Sequence, residues 1–362
     1  MEMQVEVKAL LEKMIAADAS DVFVVAGRPL AYASKGSLKQ VDDRMLMPDD
    51  TKAIIEAIYR LAGRDFQLML DNVNHDEDFS FAVAGVGRFR ANVFRQRGSF
   101  STVIRVIPFG LPDPETIGIP EEVLSLSKLQ KGLVLVTGPA SSGKSTTLAS
   151  IVDRMNHERS GHIVTLEDPI EYVHRHGSCI VTQREIPTDV ATYAEALRSA
   201  LRQSPDIILL GEMRDPETVS TAMTAAETAQ LLFSTLHTTS AAGTVDRIVD
   251  TFPAVQQHQI RIQLSLVLQA IVSQQLVPTV NGELIPAFEI MISNPAIRNL
   301  IRERKTHQID SVIAAGGAVG MRTMDQSLFQ LAKAGRITAD TALRFSIHEE
   351  ALEHRLSAEG LL

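Results

Sequence analysis

The sequence has no tryptophan, only 5% aromatic residues and a single cysteine, Cys179, in 362 residues. With so few rings, the core must be mainly aliphatic. No base-stacking face of the kind that reads single-stranded nucleic acid is visible. One thiol forms no internal disulfide and no multi-cysteine metal site, a usage that suits a reducing compartment. No uncharged apolar run reaches the ~18 residues of a membrane span. The N-terminus, MEMQVEVKALLEKM, carries early acids and no long apolar h-region, so no secretory signal is expected. Excess positive charge is missing too: the formal net charge of −9 argues against a protein built to coat nucleic acid. What remains is 45% hydrophobic and 22% charged, a balance that buries a real core, and long enough for two domains.

The most informative stretch is Gly138–Ser145, GPASSGKS. It fits G-x-x-x-x-G-K-S/T, the phosphate-binding P-loop. Leu133–Thr137 before it suits a buried strand. After it, Leu148, Ile151, Val152 and Met155 recur at helical spacing. The loop therefore sits between a strand and a helix start, where backbone N–H groups and the helix's positive end converge on phosphate oxygens. Lys144 supplies a point charge for the β- and γ-phosphates, and Ser145 a ligand for Mg²⁺. Ser141, Ser142, Gly143, Lys144, Ser145 and Thr146 are the expected contacts to ATP.

Around this loop the chain alternates strand and helix. Strands are predicted at 133–137, 162–166, 207–210 and 231–236, and helices at 145–157, 191–203, 216–228 and 240–250. Such alternation implies a mostly parallel sheet covered on both faces. If the strands are parallel, their carboxyl ends share one edge, where open α/β sheets bind ligands. That edge would hold the P-loop, Glu167-Asp168-Pro169-Ile170-Glu171, Gly211–Asp215 and His237-Thr238-Thr239. Glu212 is the candidate for orienting or activating a water. Glu167, with Glu171 as the alternative, would tune metal or water, and His237 would sense the γ-phosphate. Against each stands a plain structural role: carboxylates after strands cap helices, as Asp168 and Asp215 are placed to do.

The first 107 residues read differently. Helices are predicted at 4–17 and from Pro48 through Leu61. Short apolar stretches lie at Val22–Val25 and Leu38–Val41, and a turn at Ser34-Lys35-Gly36. Residues 77–107 alternate as an antiparallel meander. That meander carries Arg88, Arg90, Arg95, Arg97 and Arg105, any of which could reach a phosphate from a second domain or subunit. Residues 108–120 hold four of the fifteen prolines and read as a linker. Further on, a long helix is expected over 254–275, then a hairpin on Asn281-Gly282, then helices over 295–362 broken at Gly316-Gly317.

Several of these stretches together resemble the secretion-ATPase superfamily of type II secretion and type IV pili. LRQSPDIILLGEMRD at 201–215 is similar to its Walker B signature, TLEDPIEYVH at 165–174 to its Asp box, and STLHTTSA at 234–241 to its His box. GRFRANVFRQRG at 87–98 resembles its arginine-bearing strands. NPAIRNLI at 294–301 resembles a motif of the pilus-retraction branch. The resemblance implies a PAS-like α+β domain over 1–107, the linker 108–120, a RecA-like P-loop core with a mainly parallel sheet over 121–290, and a C-terminal helical region over 291–362. It implies a ring-shaped homohexamer with ATP between subunits, working in the cytoplasm against an inner-membrane pilus platform protein, without nucleic acid and without membrane insertion. Glu212 takes the Walker B role, Glu167 that of the Asp box and His237 that of the His box. Arg90, Arg95, Arg97 and Arg105 lie in the arginine-bearing region. The family usually shows GPTGSGKS; Ala140 and Ser141 depart from it. RecA-type P-loops also carry Ser-Ser before Gly-Lys, so binding is expected to survive. Auxiliary retraction motors and pilus-assembly or type II secretion ATPases are the nearest alternatives. The assembly and secretion enzymes usually carry a tetracysteine zinc module, which one cysteine does not provide. A RecA-like nucleic-acid translocase and an ATP-binding scaffold without turnover are the alternatives from other classes.

Overall fold

The computed structural model describes residues 2–34, 37–71, 76–107 and 110–362. Lys35-Gly36 of the expected turn and Pro108-Phe109 of the expected linker lie outside the described residues. The chain divides into two compact units, Met1–Gly110 with Glu171–Val173, and Leu111–Ile170 with His174–Leu362.

The first unit is an antiparallel sheet with helices. Its strands are β1 (Asp21–Val24), β2 (Pro29–Ser34), β3 (Ser37–Met45), β4 (Glu77–Val83), β5 (Gly87–Gln96) and β6 (Ser99–Ile107). They run in the order β3-β2-β1-β6-β5-β4. The meander of β4 to β6 is as the alternation predicts: Phe79, Phe81, Phe89, Ala91 and Val93 are buried together with Leu11 and Met14 of helix Glu2–Ala16 and Ile55 and Ile58 of helix Pro48–Leu61. β2 was not expected, because PLAYAS mixes small and turn-forming residues with one aromatic. It pairs with β1 through Val22↔Tyr32.

The second unit is built on β7 (Gly132–Thr137), β8 (Gly161–Glu167), β9 (Cys179–Glu185), β10 (Ile207–Leu210), β11 (Leu231–Leu236), β12 (Leu268–Pro278) and β13 (Leu284–Ile292). Their order is β13-β12-β7-β11-β10-β8-β9. All neighbours are parallel except β12 and β13. Both faces are covered, and β7 shows why an unbroken apolar run was needed. Leu133 and Leu135 enter one core with helices Pro216–Glu227 and Ala254–Val267. Val134 and Val136 enter the other with helix Lys144–Glu158. Each strand of this kind contributes apolar area to two cores, worth about 25 cal/mol per Å² removed from water.

The expected helix over 254–275 is corrected. The helix ends at Val267, and the chain passes straight into β12, which pairs with β7 through Ile271↔Leu135 and Ser273↔Thr137. Leu264, Val267, Leu268 and Ile271 satisfy a helical stripe and a doubly buried strand equally well, and no glycine or proline marks the change. The hairpin on Asn281-Gly282 is present, joining β12 to β13. From Leu111 onward the proline-rich stretch packs within the second unit, where Ile119 is buried. The C-terminal helices include Pro295–Arg302, Ile309–Ala315 and Met324–Lys333. Ile297, Ile301, Ile309 and Ile313 join the core beneath the sheet.

Candidate nucleotide site at the carboxyl edge of the sheet

Parallel register brings four strand ends to one edge: Leu236 pairs with Thr137, and Leu210 with Ser234 and Leu166. The P-loop leaves β7 there. Gly138 (φ 146°) and Gly143 (φ 85°) take backbone angles that side chains resist. A Cβ on Gly138 would stand 2.2 Å from the carbonyl oxygen of Gln274 on β12, so the loop lies directly on the neighbouring strand. Ser141, where the family pattern has glycine, sits at φ 59°, a left-handed conformation costing a non-glycine residue about 1 kcal/mol. Gly138→Ala is expected to destabilise the second unit by about 3 kcal/mol, because the obstacle is main chain and cannot swing away. Urea unfolding followed by circular dichroism measures this.

Lys144 is 8% exposed, and its Nζ donates to the carbonyl oxygens of Gly138 (2.8 Å) and Pro139 (2.7 Å). Its charge is thus held at the mouth of the loop. The Ser142 hydroxyl is buried without a hydrogen-bond partner, the kind of orphan that a polyphosphate oxygen would satisfy. Ser145, half-buried in the first turn of helix Lys144–Glu158, offers a hydroxyl oxygen, the donor type that fits Mg²⁺. Behind the loop, Thr147 Oγ1 donates to Gln274 Oε1 (2.7 Å) and Thr137 Oγ1 to Ser273 Oγ (2.9 Å), locking it to β12.

Glu212 follows β10. Its carboxylate is 14% exposed and lies 2.8 Å from Arg214 Nε and 3.4 Å from His237 Nε2. Glu212 and His237, from different strands, are therefore in contact. Glu167 ends β8 and accepts from Thr165 Oγ1 (2.6 Å) and Gln183 Nε2 (3.2 Å). Asp215 caps helix Pro216–Glu227, accepting from Thr218 N (2.8 Å). Burial works to raise its carboxyl, but the hydrogen bonds from Thr218 and neighbouring amides outweigh it and hold it below the usual range. Glu171 falls in the first unit. Cys179 is a core thiol: its Sγ donates to the Arg159 carbonyl (3.3 Å), and burial pushes its pKa up, against ionisation.

The arginines all belong to the first unit. Arg90 makes a two-pronged pair with Asp78 (both contacts 2.7 Å), and Arg105 Nε meets Asp21 at 3.1 Å. Arg95 lies over the Phe100 ring, 4.3 Å from its centroid. Arg97 is exposed in the β5–β6 turn at φ 48°.

Four contributors escaped the sequence reading. Gln274 was hidden in the supposed helix. Gln183 and Glu185 lie on β9, whose polar alternation CIVTQRE gives no buried-strand signal; Glu185 accepts the Ile170 N–H (3.0 Å) and so fixes the segment after Glu167. Tyr193 begins the helix that Thr192 caps, and only the fold shows its hydroxyl against Gly211, where a Cβ would stand 2.7 Å away. Burial, then the carboxylates of Asp168, Glu212 and Glu167, push this phenol well above its ordinary range, so it stays a donor.

Comparison with known proteins shows the family and the fold. A profile for the type II/IV secretion system proteins matches residues 3–317. The chain is 46% identical over 328 residues to the "type IV pilus retractation ATPase PilT" of Pseudomonas aeruginosa PAO1, covering 90% of this chain and 93% of that protein. It is 37% identical over 358 residues to the type IV pilus ATPase PilU of the same organism, covering 98% and 90%. Among solved structures, one of the pilus retraction motor PilT with bound ADP superposes with a TM-score of 0.88 at 46% identity, covering 96% of this chain and 98% of that one.

Proposed function

This chain belongs to the type II/IV secretion system protein family, and from that premise we propose that it is an ATP-hydrolysing motor of type IV pilus retraction. The observation that carries the chemistry is the shared sheet edge, where a P-loop, two strand-end glutamates and a histidine meet within one domain.

The loop amides and Lys144 bind the phosphates, and Ser145 would hold Mg²⁺. Mg²⁺, when bound, neutralises charge building on the β- and γ-phosphates. Glu212 orients the attacking water and accepts its proton. Arg214 and His237 fix the direction of that carboxylate. Because His237 touches Glu212, a γ-phosphate contact at His237 is felt at the base. Glu167, held by Thr165 and Gln183, completes the polar wall. An arginine from the first unit of the same or a neighbouring subunit compensates charge on the transferring group. Arg90 and Arg105 would first have to leave Asp78 and Asp21, exposed pairs worth at most about 1 kcal/mol each.

The working particle in this reading is a homohexamer in the cytoplasm, held at the membrane through an inner-membrane platform protein. No helix among the described residues is long and apolar enough to cross a membrane. ATP turnover measured against protein concentration, with mass recorded alongside, is expected to appear only with a hexamer-sized species. Full turnover by a monomer would overturn the intersubunit arginine and the ring.

A further inference from the structure

One buried acid lies outside the catalytic set. Glu289 on β13 is 2% exposed, yet it carries a carboxyl. Its Oε1 accepts the N–H of Ala241 at 2.7 Å. Ala241 is the first residue of helix Ala241–Asp250 and lies four residues beyond His237. The intervening chain is itself pinned: Thr238 Oγ1 meets Thr244 Oγ1 at 2.7 Å, and the Ser240 side chain accepts the Gly243 N–H. On either side of Glu289 in β13, the Phe288 N–H donates to Ser327 Oγ of helix Met324–Lys333 (3.1 Å) and the Ile290 N–H to the Arg322 carbonyl just before that helix (2.8 Å). On the strand side, Glu289 stands opposite Ser273, the residue that accepts the Thr137 hydroxyl just before the P-loop.

We propose that Glu289 is a positioning residue for the His237 segment, a tether through which the C-terminal helices act on the catalytic edge. The proposal rests on ATP hydrolysis as the activity. A buried acid is a costly way to hold one helix start, since an apolar residue with a solvated or side-chain cap would cost less. What the acid adds is a polar link from strand to helix: movement of helix Met324–Lys333 carries β13 with it and is felt at Ala241, and so at His237.

The surroundings make the tether sensitive to protons. Burial pushes the Glu289 carboxyl up to about 7, against the pull of the Ala241 N–H; the carboxylates of Asp310 and Asp325 add to the rise. Asp310 is itself raised by burial and lies 4.0 Å from His348 Nε2, while Asp325 accepts the N–H groups of Ile347 and His348. Elsewhere on the elements packed here, Asp246 pairs with Arg261, and Arg322 with Glu122. The folded carboxyl binds its proton more tightly than the unfolded chain does. Its contribution to stability is therefore present at low pH and lost as pH rises through about 7. The tether works the other way. Ionised, the carboxylate is a strong acceptor for the Ala241 N–H; protonated, it accepts more weakly and that helix start is loosened.

Steady-state ATPase kinetics of the full chain from about pH 6 to about pH 8.5 test this. Wild-type kcat is expected to fall about tenfold as pH drops through about 7, with KM within about twofold. Glu289→Gln is expected to stay near the low-pH rate throughout, with KM unchanged. A variant that keeps wild-type kcat and pH profile, or that changes only KM, overturns the proposal. Should the variant not fold, hydrogen exchange on the wild type decides the matter. Protection of the Ala241 amide, corrected for intrinsic rates, should rise above about pH 7; equal protection on both sides overturns the tether. A wild type with no turnover at all would remove the ATPase reading, while the exchange measurement would still test the tether.

Discussion

Lys144→Ala is expected to abolish measurable nucleotide binding while leaving the fold in place. The ammonium is nearly buried, and its two bonds to the Gly138 and Pro139 carbonyls hold it at the mouth of the loop. A charge placed so is screened little by solvent, and charge-assisted hydrogen bonds to phosphate are about twice as strong as neutral ones. Losing two such contacts costs about 3–4 kcal/mol, or at least ~100-fold in Kd. The two freed carbonyls lie at a partly open loop, where water replaces the lysine. Stability is therefore expected to change by no more than about 1–2 kcal/mol. Titration with a fluorescent ATP analogue, beside a thermal melt without nucleotide, separates the two effects. Affinity within about threefold of wild type would show that phosphates do not lie against Lys144.

Glu212→Gln is expected to do the opposite, retaining ATP but hydrolysing it ~10²–10³ times more slowly, equivalent to about 3–4 kcal/mol in the barrier. The amide has the shape of the acid, and its oxygen still accepts from Arg214 at the 2.8 Å position. What it lacks is the charge that draws a proton from water. Arg214 is 70% exposed and His237 half so, and both are held to the carboxylate rather than buried with it. Arg214→Ala should accordingly cost far less than the loss of the acid. Single-turnover hydrolysis of pre-bound ATP, with the Kd measured separately, reads the chemical step alone. An unchanged rate would remove Glu212 from the role of base.

Much of the site was legible because its residues follow strands whose local signal is strong. β7, β10 and β11 are mainly apolar and buried on every residue, and each ends in a change of character at Gly138, Gly211 and His237. Where the signal is shared between two conformations the sequence misleads. Leu264 through Ile271 fit a helix and a strand alike, and only the vacancy beside β7 decides that β12 fills it. β9 was missed for another reason. At the sheet's edge it is buried only at alternate or fewer positions, and polar Gln183 and Glu185 face the segment they organise. The contact between Glu212 and His237 joins strands with no local relation, so residue types suggested the partners but not their touching. Likewise, nothing in a run of arginines distinguishes Arg90, clasped by Asp78, from Arg97 in an exposed turn.

The place of β7 in the sheet also sets a schedule for the newborn chain. One neighbour, β11, is made about a hundred residues after it, and the other, β12, later still; the hydroxyls of Thr137 and Ser273 that meet across β7 and β12 are 136 positions apart. Contacts of such long sequence separation form slowly, because the entropy of closing the loop must be met before any contact repays it. While the ribosome works toward residue 278, the phosphate loop has been synthesised but has no wall to rest on, and one side of its strand remains an open edge. Nucleotide capture in this chain is thus a property of nearly finished synthesis, and a stalled or truncated product that already carries the whole P-loop motif would still be unable to hold ATP.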